Sequence, residues 1–481
     1  MDVRRTGIIL KPNNSRVLCR PFELRDPQRA LKITARVMEM PADQVEQLLS
    51  QVLAEFHGRH HRAVNFFLER FEAVKEHLLT DSPVDDRRKM LIGAYFTQEY
   101  SLESAALFNP SMIWHPHQGG VPAGSRRFVL SLRATGEGHI SSLCFRSGLV
   151  DANCQIVVDR PTGIVTAPQV VPNSEYDKLL FLRKLSELGI TDGLAETAIH
   201  PLSDSFTMEQ LEANVRMAMR QHPARRREWD PLAKAMLALA KSNYEIQCDP
   251  EGDISERIVF PYSPTEMNGI EDARWVQFHE DDGSSLYYAT YTAFDGSLVF
   301  SQLIETTDFL RFKINTLNGA EVRNKGMALF PRRINGHYAM LSRQDGENIF
   351  LMYSDMLHFW GAKQLLARPT YPWEYVQLGN CGSPIETDAG WLVLTHGVGP
   401  MRKYAIGAFL LDRDDPSRLI GRLKEPLLTA DENERAGYVP NVVYSCGGQV
   451  HNGELIIPYA MSDYASTFAT VPLDQLLAAL R

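Results

Sequence analysis

Asn268-Gly269-Ile270-Glu271-Asp272-Ala273-Arg274 runs straight into Trp275-Val276-Gln277-Phe278. After the polar run Glu280-Asp281-Asp282-Gly283-Ser284 comes Leu286-Tyr287-Tyr288-Ala289-Thr290-Tyr291-Thr292-Ala293. Two aromatic and β-branched segments separated by acidic and glycine turn residues predict a β-hairpin, and this hairpin decides the fold class. The adjacent carboxylates Glu271 and Asp272 and the cation Arg274 stand at its mouth. An acid beside a fixed cation can be held in one orientation against a sugar, which makes these three residues candidates for chemistry and not only for a solvated turn.

Working outward, the chain from Ile258 onward keeps this texture of short strands. They are punctuated by Asp295-Gly296, Asn335-Gly336, Asp345-Gly346, Gly447-Gly448 and Asn452-Gly453, all turn formers. Strand clusters recur at roughly 40 to 50 residues, the spacing of propeller blades, although no exact repeat is visible. Upstream, Ala106-Leu107-Phe108-Asn109-Pro110, Arg127-Phe128-Val129-Leu130-Ser131-Leu132-Arg133 and His139-Ile140-Ser141-Ser142-Leu143-Cys144-Phe145 also read as strands. Two blocks differ. Residues from about 26 to 94 place Val37, Met40, Val45, Leu48, Leu49, Val52, Leu53 and Phe56 at spacings of three and four, which predicts two or three packed helices. A second helical block interrupts the β texture at about 174–243. The expected organisation is an N-terminal extended and helical region, 1–103, and a β domain, 104–481, carrying that insertion.

Bulk properties exclude several classes. With 481 residues, 44% hydrophobic and 23% charged, the chain reads as globular, and its net charge of −9 argues against a nucleic-acid partner gripped by a broad basic surface. The densest basic run, Arg225-Arg226-Arg227, is met at once by Glu228 and reads as a solvated helix face. Six scattered cysteines without a CxxC pair suggest neither a zinc site nor a disulfide framework, and a reducing cytoplasm is expected. No segment approaches the ~20 apolar residues of a membrane span. His57, His60 and His61 have metal-ligand spacing but no completing ligands, so they read as capping or solvent-facing side chains; neither a metal nor an organic cofactor is expected.

Four further segments share the form of polar residues flanking a strand: 324–331 with 334–343, 382–387 with 390–398, 404–412, and 440–447 with 459–463. With Gly-Ile-Glu-Asp-Ala-Arg, this ordered series resembles glycoside hydrolase family 130, the mannoside phosphorylases and related β-mannosidases. The resemblance covers the chain from about Phe108 to the C-terminus, without the second helical block. It implies a five-bladed β-propeller whose central funnel holds the sugar, with the N-terminal helical region and the helical insertion added to it. Asp272 matches the family's general acid, acting directly or through a mannose hydroxyl. Ala273 departs from the family pattern, where proline is usual, which removes a rigid φ but not the carboxylate.

The resemblance further implies that Lys325, Arg343 and His396 bind phosphate, and that Asn109 and Asp463 hold the mannosyl hydroxyls. Arg133 is a candidate for the anion or the sugar, and Tyr404 for the funnel wall. The expected reaction is inverting phosphorolysis of a terminal β-mannoside to α-mannose 1-phosphate, with inorganic phosphate as co-substrate. Phosphate is already an anionic nucleophile and needs cations rather than a second carboxylate. An inverting β-mannosidase using water would need such a base, for which Glu99 and Glu386 are candidates. A carbohydrate-binding propeller without turnover is the third reading. The helical regions have two readings of their own, a cover over the funnel or a homo-oligomer interface.

Overall fold

The hairpin around residue 280 forms because its turn is chemically specified: Asp282 Oδ1 accepts from the Ser284 N–H at 2.9 Å and Gly283 takes φ 85°. Strands Ile270–His279 and Ser285–Phe294 then pair antiparallel over their length. The computed structural model describes residues 1–80, 82–171, 174–191, 193–294 and 299–480, so the Asp295-Gly296 turn lies outside the described residues.

The chain is mainly β, and among the described residues, beside two two-stranded sheets, five antiparallel sheets of four or more strands follow one another along it. Their leading strands are Ala106–Trp114, Ile270–His279, Lys325–Leu329, Gln377–Asn380 and Val443–Tyr444. The first three are followed by antiparallel neighbours in meander order, whereas the fourth and fifth pair with Gly390–Val398 and Glu454–Met461, each past one short strand. The fifth sheet is completed from the other end of the chain by Arg4–Arg5, which pairs with Ala465–Pro472.

Alternating apolar residues on both faces bury each sheet against the next. Phe145 of the first sheet meets Trp275 of the second at 6.0 Å, Phe278 of the second meets Tyr338 of the third at 5.6 Å, and Phe330, just past the third sheet's leading strand, meets Trp391 of the fourth at 5.1 Å. Leu394 and Ile406 of the fourth share a cluster with Ile457 and Tyr459 of the fifth. Phe468 of the fifth then packs on Phe128 of the first at 6.2 Å, so the order of contact returns to its start. Each such ring, fully buried, contributes ~1.5–3 kcal/mol. The leading strands run to a common cavity of about 340 Å³ lined by Trp114, Gln277, Arg332, Pro384 and Gly447, each on or just past one leading strand.

A repeated device enters each leading strand. Glu103, Glu266, Glu321, Glu374 and Glu434 each stand shortly ahead of one. Glu266 Oε2 accepts from the Tyr262 and Ser263 N–H groups at 3.0 Å, and its Oε1 from the Tyr244 hydroxyl at 3.1 Å and from Tyr291. Glu374 accepts from Thr370 N–H at 2.9 Å, Tyr371 N–H at 3.1 Å and Arg422 at 2.5 Å; Glu434 accepts from Asp431 N–H at 3.1 Å, Arg5 Nε at 3.0 Å and the Tyr459 hydroxyl at 2.5 Å. Glu103 is held between Arg16 at 2.8 Å and Arg146 at 2.7 Å, and Glu321 pairs with Lys363 at 2.6 Å. Buried carboxylates are tolerated because hydrogen bonds and cations satisfy them.

Helices α1 to α4, Pro27–Glu39, Ala42–Phe56, Ala63–Val74 and Asp86–Tyr95, pack around Val37, Val45, Phe71 and Ile92. Asp26 caps α1 through the Gln28 N–H at 2.9 Å, and Asp85 caps α4 through the Arg88 N–H at 2.9 Å. Helices α5 to α8, Lys178–Glu187, Gly193–Ile199, Met208–Gln221 and Arg226–Lys241, bury their own cluster around Trp229, Leu211 and Met236. They are tied to the second sheet and the connection that follows it where Asn243 accepts from Thr316 N–H at 2.8 Å and Glu187 from Gly319 N–H at 2.6 Å. No helix among the described residues is long and apolar enough to cross a membrane.

Candidate active site

Three leading strands break register at equivalent places, between Phe108 and Ser111, Glu271 and Arg274, and Lys325 and Ala328. Each β-bulge puts one residue in left-handed space: Asn109 at φ 48°, Asp272 at φ 55° and Gly326 at φ 89°. A non-glycine residue there costs of order 1 kcal/mol or more, and such strain collects where a side chain must be aimed. The bulges turn Asn109 and Asp272 toward each other, and Asn109 Nδ2 donates to Asp272 Oδ1 at 2.6 Å. Ser111 Oγ accepts from the Trp275 N–H at 3.1 Å and locks the two bulged strands together.

Around this acid Glu271 is paired with two cations. Arg133 donates through Nη2 to Glu271 at 2.9 Å and reaches Asp272 through Nη1 at 3.5 Å; Lys325 donates to the other oxygen of Glu271 at 2.5 Å. Burial pushes the Asp272 carboxyl up, but Arg133 foremost, then Arg274, Lys325 and the Asn109 amide, outweigh it and hold it below the usual carboxylate range. Asp463, at φ 51°, faces this group from the fifth sheet. Its burial, reinforced by the charge on Asp272, raises its carboxyl from 3.8 to about 6.

The neighbouring wall is built differently. Arg343 of the third sheet and Arg274 of the second are 8% and 2% exposed and have no carboxylate partner among the described residues. Arg274 donates to the Asp272 carbonyl at 3.1 Å and to the Tyr444 hydroxyl at 2.7 Å, while Arg343 Nη1 donates to His396 Nε2 at 3.2 Å. The Nε atoms of both arginines are buried without a hydrogen-bond partner.

Gln377 Nε2 also reaches His396 Nε2 at 3.2 Å. Because arginine can only donate, His396 Nε2 carries the lone pair and Nδ1 the proton; the buried Nδ1–H makes no well-formed hydrogen bond and lies beside the Asn380 backbone. Burial foremost, then Arg343 and Arg274, push the imidazole well below its usual value, so it is neutral. A glycine makes this approach feasible: a Cβ on Gly379 would lie 2.4 Å from His396 Cε1 and 3.1 Å from Arg343 Cδ. Tyr404 stacks on His396 with centroids 5.9 Å apart, and Tyr444 meets it edge-on at 5.0 Å.

The structure therefore brings Asn109, Arg133, Glu271, Asp272, Arg274, Lys325, Arg343, His396, Tyr404 and Asp463 into one region. It does not bring Glu99 or Glu386 there. Glu386 is taken by Arg332 at 2.7 Å and Arg413 at 3.1 Å beside the cavity at the far ends of the leading strands, and Glu99 by Arg59 at 2.9 Å and His60 at 2.8 Å beside α2 and α3. His57 ends α2 and His61 is exposed, 3.8 Å from Glu256. Tyr444, Gln377 and Asn380 escaped the sequence reading. Asn380 is fully buried with neither side-chain atom paired, its Oδ1 3.5 Å from where a Cβ on Gly326 would lie. The signal for Gln377 and Asn380 was their place on the leading strand paired with His396.

An acid aimed by a strained bulge and buried arginines without carboxylate partners thus share one region of the chain. The chain belongs to glycoside hydrolase family 130: a family model described as beta-1,4-mannooligosaccharide phosphorylase matches residues 233–481. It is 35% identical over 206 residues to a 1,2-beta-oligomannan phosphorylase of Thermoanaerobacter sp. (strain X514), covering 41% of this chain and 66% of that relative. It is 28% identical over 226 residues to a beta-1,2-mannobiose phosphorylase of Listeria innocua, covering 46% and 62%. The chain thus spans just under two thirds of the length of these curated relatives. A solved structure of the Listeria innocua beta-1,2-mannobiose phosphorylase with β-1,2-mannobiose aligns over 79% of this chain and 93% of that one, at 20% identity and a TM-score of 0.47.

Proposed function

We propose that this chain catalyses inverting phosphorolysis of a terminal β-mannoside, giving α-mannose 1-phosphate and a shortened sugar. The five sheets are read as the blades of a five-bladed propeller with the site at one end of its axis, supported by the cyclic order of packing and the cavity shared by the five leading strands. The observation that carries the reaction is the pair of buried arginines, Arg274 and Arg343, without carboxylates and with unpaired Nε donors. Buried cations are costly unless an anion meets them, and hydrogen phosphate supplies both the charge and the acceptors.

In this reading Arg274, Arg343, the His396 imidazole and Lys325 hold phosphate in line with the anomeric carbon. Asn109, Asp463 and Arg133 hold the mannosyl hydroxyls, and Glu271 keeps Arg133 and Lys325 in place. A phosphate oxygen forms the new bond to C1 as the C1–oxygen bond to the leaving sugar breaks on the opposite face. Asp272 gives its proton to the leaving oxygen. In net terms the proton of hydrogen phosphate ends there, because Asp272, ionised in the free protein, takes up a proton once phosphate offsets the field of the arginines. Neither carboxylate suggested as a base for water lies at the site, which favours phosphate over water as nucleophile.

The test is product analysis with β-1,2- and β-1,4-linked mannobiose, with and without phosphate. Phosphate-dependent α-mannose 1-phosphate is the expected result; free mannose at an equal rate in both cases would establish a hydrolase instead.

A further inference from the structure

Exposed tyrosines flank elements that carry the site. Tyr375 precedes the leading strand of the fourth sheet, Tyr464 follows Asp463, and Tyr438, 66% exposed, lies on the connection into the fifth sheet. Singly exposed apolar side chains are ordinary and need no explanation. Tyr438 differs in how firmly it is placed. The Val439 N–H donates to the Ser462 carbonyl at 3.0 Å, and a Cβ on Gly437 would lie 2.4 Å from that same oxygen, so the segment is clamped against the residue before Asp463.

The Tyr438 ring stacks on His139, with centroids 5.7 Å apart and planes 30° from parallel. His139, at φ 61°, sits at the tip of the hairpin whose strands carry Arg133 and Ser141, joined by an Arg133 Nε to Ser141 Oγ bond of 2.9 Å. Two aromatic rings from the first and fifth sheets therefore meet directly outside Asp463 and Arg133. Neither ring is buried, so the stack adds little to the core. Arg402, also left-handed at φ 55°, approaches the same carboxylate from the hairpin of the fourth sheet.

The direction of the reaction decides which sugar this surface meets. Inversion places nucleophile and leaving group on opposite faces of the anomeric carbon. Arg274, Arg343 and His396 are almost wholly buried, so a phosphate held among them attacks from below and the leaving sugar points outward, toward Tyr438. The apolar C–H face of a pyranose is complementary to the negative face of an aromatic ring, and a guanidinium complements its hydroxyls.

We propose that Tyr438, supported by His139, is the platform for the sugar on the leaving side of the scissile bond and that Arg402 donates to that sugar's hydroxyls. The assignment rests on the phosphorolysis reading, which defines the leaving sugar. It is tested with Tyr438→Ala, Tyr438→Phe and His139→Ala on linear β-mannosides of two to four units. Loss of a stacking contact predicts a fall of about tenfold in kcat/KM for substrates of every length in Tyr438→Ala, a smaller fall in His139→Ala, and retention in Tyr438→Phe. The KM for phosphate should not move. Unchanged kcat/KM at every length, or a parallel rise in the phosphate KM, would overturn the platform. If the wild-type protein releases no sugar phosphate, the reaction itself falls and calorimetric binding of β-mannotriose decides the platform alone. Binding about tenfold weaker in Tyr438→Ala upholds it, and unchanged binding overturns it.

Discussion

The wall of the site that carries the acid and the wall that carries the buried arginines satisfy charge in different ways. Around Asp272, Glu271 bridges Arg133 and Lys325, and Asn109 donates to the acid itself. Beside it, Arg274 and Arg343 contact a carbonyl, a phenol and a neutral imidazole, and Nε donors remain free. A wall that is already neutral holds its side chains still and can present one reacting group. A wall that keeps unmatched positive charge in a buried place is strained toward binding an anion. Geometry is fixed on one side and affinity stored on the other.

The largest effect should follow from the first wall. Asp272→Asn preserves the shape and the Asn109 neighbour but cannot donate the proton, so kcat for a poor leaving group should fall roughly 10²- to 10⁴-fold while mannoside binding persists. Near-normal turnover would dissolve the distinction between the walls.

Asp463 gives the next effect, read as stability. Its folded value, about 6, lies above the 3.8 of an ordinary aspartate, so the folded state favours the protonated form. The relative stability is complete below pH ~4 and is lost as pH rises through about 6, a cost of about 3 kcal/mol at neutral pH. Asp463→Asn should therefore raise the melting temperature at pH 7.5 and leave it nearly unchanged at pH 4. Equal shifts at both values would contradict the placement of Asp463 against Asp272.

On the second wall, Arg343→Met removes a buried cation that lacks a carboxylate. The phosphate KM should rise about 10- to 100-fold, since a hydrogen bond to a charged group is worth about 1.5 to 3 kcal/mol. The free protein should be no less stable, because an apolar side chain of similar length replaces an uncompensated charge. A large loss of stability would mean that the arginine is structural.

The smallest effect is expected at His396. Its Nε2 is occupied by Arg343 and Gln377, so His396→Ala removes one Nδ1–H donor and loosens Arg343. The phosphate KM should rise about tenfold, more than that for the mannoside, with water-driven release of mannose little affected. Because the imidazole is neutral, the pH profile of the phosphate KM, set by phosphate's own second ionisation, should keep its shape in His396→Ala; a step lost in the variant would show that His396 is charged when it binds.

How much of this was legible in the chain depends on how local the determinant is. Val37, Val45 and Leu49 announced their helices because helical spacing is read within a few turns, and the 270–294 hairpin announced itself through its turn chemistry. Asp272 and His396 could be found as parts of ordered motifs. The left-handed bulge that aims Asp272 could not, because a bulge is a mismatch between two strands and neither strand encodes it alone. Tyr444 and Gln377 were missed for a related reason: each matters only through a partner on another strand or sheet, Arg274 or His396.

The repeat was present but disguised. Glu103, Glu266, Glu321, Glu374 and Glu434 each mark the entry to a leading strand, but their carboxylates are met by different partners, and α5 to α8 stretch the first interval. Periodicity that relies on one residue per sheet, with an insertion between two of them, is visible only once the strands are known.

The contrast between the walls is tested most directly by titrating inorganic phosphate calorimetrically into the wild-type protein, Asp272→Asn and Arg343→Met. Binding should survive in Asp272→Asn with a Kd equal to or lower than wild type, since a negative charge beside the site has gone, and should weaken about 10- to 100-fold in Arg343→Met. Equal binding by all three proteins, or a loss confined to Asp272→Asn, would contradict the account.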